Sequence, residues 1–580
     1  MVPTRASLPA LALALLSCAT GGRGLGPDDG TVEDPGPRPA GILRVSGRQI
    51  VDDAGHPVAL RGVAFGNAVW SNVPLPTAHH GEIDYQRVAD MGMNLVRFYL
   101  NYRTFEDDAA PGRYEESGFR WIDQNVAWAK AHGVRLMLNM HVPQGGFQSL
   151  ARGTALWTDT RNQDRLTALW KAIARRYRGE PTIAGYDLVN EPVVAGEKEQ
   201  WARLANRIVR AIRLVDPWHI VAVERLNGRR ADGSGAADTS NDEDLNFVAV
   251  DDPNVLYEFH VYTPMEFTHQ LASWVTCCQV PTTYPDPSVL TVSWSNLTWK
   301  HWSWDGTPAA GQLRVPDGTT PWTAYRVRFT VTDPTWNVGR PVFMSQDNAG
   351  TVYFDDFVVD EYDPEGRLVR RIFASALEDP EAWSLWKGDP AARGARVAGA
   401  DGHAGERSVG IAGTSTDASL SSDAYFFRVT TGNTYELGYW ARAEGSRAGS
   451  TSLGRLDFLT SSAPLHGREK ALLAAELDRF VAWGEARGVP LYLGEFGAIR
   501  AAFERGGTAW VGDMLDLLAA RDVSWTYHSY HESAFGIFYG DYPTPPDPAN
   551  ANTALIELFR RTLALERAPG ERLAAPEPVE

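Results

Sequence analysis

GFRWIDQNVAWAKAHGVRLMLNMH, residues 118–141, contains one complete helix-to-strand step, and the chain on either side repeats it. Phe119, Ile122, Val126 and Ala129 recur at spacings of three and four, which makes one apolar stripe of a helix. After His132 and Gly133, Arg135–His141 is almost continuously apolar, as a strand covered on both faces must be. The same alternation predicts strands at Val58–Val63 and Asn94–Tyr99 upstream, and at Ala184–Asn190, Ile220–Glu224 and Val255–His260 downstream. It resumes after a long gap with a helix over Arg468–Arg487, a strand at Pro490–Glu495, a helix near Trp510–Ala520, a strand at Val523–Tyr527 and a last helix over Thr553–Leu565. Six units and two more make eight, the number that closes a (β/α)8 TIM barrel, so the expected fold class is α/β, with the barrel built from residues 41–282 and 463–568.

The gap, 283–462, has a different texture. Gly, Thr, Ser and Asp clusters separate short runs such as Tyr325–Val331, Thr351–Asp360, Leu368–Phe373, Tyr425–Val429 and Tyr435–Ala441, the pattern of a β-sandwich inserted between barrel strands six and seven. At the N-terminus, Arg5, the apolar run Leu8–Leu16 and Leu15-Leu16-Ser17-Cys18 read as an export signal over 1–18 that resembles a bacterial lipobox, with Cys18 as the lipidated residue. Residues 19–40 read as a disordered tether and 569–580 as a disordered tail. The expected location is therefore extracellular or on the cell surface as an outer-membrane lipoprotein, with the periplasm as the alternative. The membrane would be touched only through that anchor.

Composition narrows the function classes. A formal net charge of -17 over 580 residues argues against nucleic acid, which is bound through clustered Lys and Arg. Neutral polymers fit better, and 20 Trp with 20 Tyr supply flat rings for the apolar faces of sugars. The other two of the 3 cysteines, Cys277 and Cys278, are sequence neighbours, read either as a strained disulfide or as two thiols. The chain is expected to act as a monomer.

Six strands end in, or run just past, a polar or aromatic residue where barrel active sites form: Arg97, His141, Asn190 with Glu191, His260 with Tyr262, Glu495 and Trp525. Singly, each is explained as well by solvent exposure or packing. Two are carboxylic acids, Glu191 and Glu495, which barrel closure sets across one mouth. Glycoside hydrolysis needs such a pair: one acid protonates the leaving oxygen, and one carboxylate attacks carbon or activates water. A separation of about 5 Å permits direct attack and retention, while a wider gap admits water and gives inversion; sequence leaves the distance open.

The segments Tyr186-Asp-Leu-Val-Asn190-Glu191-Pro192, Glu258-Phe-His260-Val-Tyr262 and Tyr492-Leu-Gly-Glu495-Phe-Gly497 resemble the motifs of glycoside hydrolase family 5, a cellulase-like family in the clan of retaining barrel glycosidases. The resemblance implies Glu191 as acid/base, Glu495 as nucleophile and Asn190 as ligand of the sugar 2-hydroxyl. Arg97 and Tyr262 would bond the nucleophile, His260 and His141 would orient the acid/base and the sugar, and Trp525 would be the floor on which the sugar stacks. Tyr262–Gln270 resembles a loop of bacterial cellulase-like members, which favours an endo-β-1,4-glucanase. Mannan, β-1,3- or mixed-linkage glucan, transglycosylation and a non-catalytic glycan-binding barrel are the alternatives. Trp70, His79, His80 and Trp157 read equally as subsite residues or loop anchors.

The insert resembles a jelly-roll carbohydrate-binding module in Glu378–Trp383, Thr434–Ala443 and Val352–Phe357, although the last of these comes first here, as in a circular permutation or two degenerate halves. Its Trp294, Trp299, Trp302, Trp304 and Trp322 would either hold a polysaccharide or be buried in a structural wall. Asp355 and Asp356 would bind a structural calcium or cap a turn; no other cofactor, and no catalytic metal, is expected.

Overall fold

The computed structural model describes residues 36–566, apart from 72, 234–235, 276–277, 279–280, 379–382 and 389–394. The expected signal with Cys18, most of the tether and the tail lie outside the described residues.

Eight parallel strands close into a barrel: Arg61–Phe65, Leu95–Asn101, Arg135–Val142, Ile183–Asp187, Ile220–Glu224, Val255–His260, Leu491–Phe496 and Ser524–Tyr527. Neighbours follow chain order around the ring, which shuts where Trp525 pairs with Arg61 and Tyr527 with Val63. Strands two to six are buried along almost their whole length, which is why they read as unbroken apolar runs. Around them, the helix Glu116–Ala131 buries Phe119, Ile122, Val126 and Ala129, and the helix Glu199–Arg213 buries Trp201, Leu204, Ile208 and Ile212. Among the described residues no helix is long and apolar enough to cross a membrane.

One end of the barrel is plugged. A hairpin, Arg44–Ser46 with Gln49–Val51, sits beside Leu43, and Leu43 and Ile50 pack on Leu95, Met137, Ala184, Ile220, Leu256 and Tyr492. With that floor sealed by apolar side chains, the polar residues gather at the opposite end, where the strands finish.

Between strands six and seven the chain leaves the barrel. Asp286–Thr291 carries it out and His466–Arg468 brings it back, and the two pair antiparallel as a stem, His466 opposite Thr291 and Gly467 opposite Leu290. Two sheets form the insert. In one, Val338–Asn348 lies between Thr451–Ser461 and Ser415–Ser421; in the other, Thr434–Ser446 lies between Gly318–Thr330 and Thr351–Tyr362. Phe343, Phe354, Leu420, Leu437 and Phe458 share the core of this β-sandwich. The Asp355 carboxylate accepts from the Asp356 N–H at 2.9 Å, and the Asp356 carboxylate meets the His403 ring at 2.8 Å. Cys278 is buried and disulfide-bonded.

The first strand has a position that only glycine fits. A Cβ on Gly62 would lie 2.2 Å from the backbone oxygen of Leu95 on the second strand, and neither strand can move without opening the ring. Gly62→Ala is expected to destabilise the barrel by about 1–3 kcal/mol. Calorimetry should show its transition moving down while that of the inserted sandwich stays in place; an unmoved barrel transition would mean that the two strands separate freely.

Candidate active site

Arg97, in the middle of the second strand, is fully buried at the barrel mouth. Its Nε donates to Asp187 at 2.8 Å and its Nη1 to Glu495 Oε1 at 2.7 Å. Nη2 donates to Asn190 Oδ1 at 3.0 Å and lies 2.9 Å from Glu258 Oε1. A planar guanidinium is the side chain able to serve so many acceptors at fixed angles. Strand alternation then places Tyr99 on the same face, where its hydroxyl donates to Glu495 Oε1 at 2.6 Å. From beyond strand six, the Tyr262 hydroxyl donates to Glu495 Oε2 at 2.8 Å. Burial alone would raise the Glu495 carboxyl, but the charges of His260, His528 and Arg97 outweigh it and hold the group well below the usual carboxylate range. Burial keeps His141 neutral, so that ring adds orientation more than charge.

Glu191 follows strand four with a left-handed backbone, φ 43°, a conformation that costs a non-glycine residue energy and that its surroundings must impose. Its N–H donates to Glu224 Oε2 at 2.6 Å, and its Oε1 lies 3.1 Å from His260 Nδ1. Burial pushes the Glu224 carboxyl, which lies beneath Glu191, well above its ordinary range. His260 goes the other way: burial would lower it, but Glu224, Glu495, Glu191 and Glu258 around the ring raise it well above its usual value. Burial and the Glu258 charge likewise raise Asp187. One carboxylate oxygen each from Glu191 and Glu495 and one His260 ring nitrogen lie within 4.8 Å of one another. That is close to the spacing at which a carboxylate attacks the sugar directly.

Glycine in Tyr492-Leu-Gly-Glu495 has a local reason: a Cβ on Gly494 would fall 1.7 Å from Glu258 Oε1. Glu191, Glu495 and His260, and likewise Glu224, Glu258 and His260, are close enough to ligate a cation.

Most residues expected at the site meet there. His141 stacks on Tyr99 at 3.9 Å and bonds Asn139 Oδ1 at 3.0 Å. Trp525 is the exception and corrects the reading from sequence: it is buried on the outside of strand eight, against Phe496 and Phe559, and offers no floor to a sugar. Along that strand Trp525 and Tyr527 face the helix layer while Thr526 faces inward to the Tyr492 hydroxyl, so the next inward residue is His528. His528 Nδ1 lies 3.1 Å from the Tyr99 hydroxyl. Trp70 is exposed, with its ring edge-on to His141 and His528 at 6.4 Å from each. Trp157, bonded to Gln148, and His80, bonded to Asn125, are buried anchors, as is His79, which accepts from the Asn67 N–H.

Tyr99, Asp187, Glu224, Glu258 and His528 belong to the site and were not singled out from the sequence. Alternation held a signal for two of them, because Tyr99 shares the face of Arg97 and Glu258 that of His260.

Residues 51–305 match the cellulase (glycosyl hydrolase family 5) profile. Endoglucanase C of Acetivibrio thermocellus is 33% identical over 196 residues, 33% of this chain and 53% of that protein. Cellodextrinase A of Ruminococcus flavefaciens is 29% identical over 194 residues, 33% of this chain and 54% of that protein. The chain thus spans about half the length of the relatives it matches. Arg97, Asn190-Glu191 and His260 with Tyr262 all fall within the matched segment, and the closed ring brings Glu495 to them. The barrel of this chain is cellulase-like and similar to glycoside hydrolase family 5 over the matched segment.

Proposed function

We propose that the barrel is a retaining β-glycoside hydrolase that cuts β-linked polysaccharide, with β-1,4-glucan cleaved from within as the favoured reaction. The observation that carries this is the pairing of Glu191 with Glu495 within 4.8 Å while Glu495 alone is held by three donors. Glu495 attacks the anomeric carbon as Glu191 gives its proton to the departing glycosidic oxygen, whose bond to that carbon breaks. Glu191, now ionised, takes a proton from water, and the resulting oxygen nucleophile displaces Glu495 from the sugar. Asn190, fixed by Arg97, is in position to bond the sugar 2-hydroxyl. Preference for β-1,4-glucan is supported by the endoglucanase name of the relative from Acetivibrio thermocellus and by the cellulase profile. Export and acylation at Cys18 are part of the same proposal and rest on the N-terminal apolar run and the lipobox-like segment.

On soluble β-1,4-glucan, Glu495→Ala is expected to lower kcat by at least about a thousandfold, some 4 kcal/mol of transition-state stabilisation, as read by release of reducing ends. Proton NMR of the first product should show the β-anomer before mutarotation; an α-anomer appearing first would exclude double displacement.

Tyr262→Phe removes one donor that favours the charged form of Glu495. The Glu495 carboxyl then rises, and the acid limb of the kcat/KM profile should move to higher pH, by up to about one unit. A limb that stays in place would mean that Tyr262 does not act through Glu495.

A further inference from the structure

One face of the inserted sandwich carries a groove of about 950 Å³ that the barrel chemistry does not use. Five adjacent strands form it, in the order Leu297–Trp302, Thr451–Ser461, Val338–Asn348, Ser415–Ser421 and Ser384–Lys387. At about 4.8 Å per strand, the floor extends roughly 19 Å. Trp299 and Trp302 stand on one outer strand and Trp386 on the other, so aromatic walls face each other across a polar floor. The floor is polar because strand alternation sends Ala418 and Leu420 into the core and Ser419 and Asp417 into the groove.

The walls are braced. The Arg340 guanidinium lies 4.7 Å from the Trp294 ring and 4.6 Å from the Trp299 ring, and that of Arg455 lies 5.4 Å from Trp302. Cation–π contact holds these indoles from behind, and yet Trp299 and Trp302 remain 41% and 39% exposed and Trp386 57%. Rings fixed before binding lose little entropy on binding. Among the described residues, Arg340 Nε and Ser419 Oγ are buried with no hydrogen-bond partner, although both residues line the groove. Buried polar atoms without partners call for a ligand hydroxyl or water.

Charge identifies the ligand class. Arg455 donates to Asp457 at 2.7 Å and Arg340 lies 3.6 Å from Asp457, so the basic groups are compensated within the protein, and Asp417 and Asp423 also face the groove. No net positive field is left to draw a polyanion. Flat apolar walls, hydroxyl-seeking polar atoms, an extended floor and no excess of positive charge are the complement of a neutral, extended polysaccharide chain. We infer that this groove is a second glycan-binding site, separate from the barrel mouth, that takes a neutral β-linked chain between Trp299–Trp302 and Trp386.

The test is calorimetric titration of the full chain carrying Glu495→Gln, with cellohexaose as probe and hexagalacturonate as its anionic counterpart. Two cellohexaose sites are expected in the parent, with the groove site at least about tenfold weaker or lost in Trp299→Ala/Trp302→Ala and, independently, in Trp386→Ala on the opposite wall. On the background with Glu495 intact, the same substitutions should leave kcat/KM on a short aryl cellobioside within twofold, which also reports that the barrel is folded. If the barrel binds nothing, the single remaining site should still disappear with Trp299→Ala/Trp302→Ala, which would contradict the proposed activity and not the groove. Cellohexaose binding unaltered by either wall variant, or a groove that takes hexagalacturonate in preference, would overturn the inference.

Discussion

Everything at the barrel mouth is arranged around the buried charge of Arg97. Moving one ion out of water costs several kcal/mol unless partners compensate it, and here the partners are carboxylates from three other strands: Asp187 from the fourth, Glu258 from the sixth and Glu495 from the seventh. The guanidinium therefore ties four strands together at one point. The position of Glu495 is set by closure of the ring and by that guanidinium, and loop conformation has little part in it. Because strands six and seven are joined in sequence only through the whole inserted sandwich, their alignment at this guanidinium is also what makes the insertion compatible with a working mouth.

The two glutamates have the same chemistry and opposite surroundings. Glu495 accepts hydrogen bonds from Arg97, Tyr99 and Tyr262 and is kept ionised, as a nucleophile must be. Among the described residues Glu191 has no such set of donors. It leans on His260, and its own backbone is pinned by Glu224, a carboxyl that burial pushes above its ordinary range. His260 stands between Glu191 and Glu495, in contact with both carboxylates, and carries the charge that this crowd of acids requires.

Much of this was legible in the sequence, and the part that was not has physical reasons. Arg97, Asn190, Glu191, His260, Tyr262 and Glu495 could be found because Arg97 interrupts, and each of the others sits at or just past the end of, a strand whose apolar run is easy to see. Trp525 also lies in such a strand, but its side chain faces the helix layer; alternation from the inward Thr526 leads to His528. Glu224, at the end of its strand, and Glu258, inside its own, were not legible because a glutamate normally reads as solvated, and the assembled ring shows both of them buried. The groove of the insert brings together residues from 294 to 455 that no local pattern connects, since strand pairing in a sandwich is long-range. Its tryptophans could be noted from sequence, but their bracing by Arg340 and Arg455 could not.

The central claim is that Glu495, ionised and aimed by Arg97, forms the covalent bond to sugar. Incubation with an activated 2-deoxy-2-fluoro-β-cellobioside should slow release of the glycosyl-enzyme enough for it to accumulate, and peptide mass spectrometry should then place one glycosyl group on Glu495. A label on Glu191 or on another residue, or turnover of the reagent with no covalent species at any time, would contradict it.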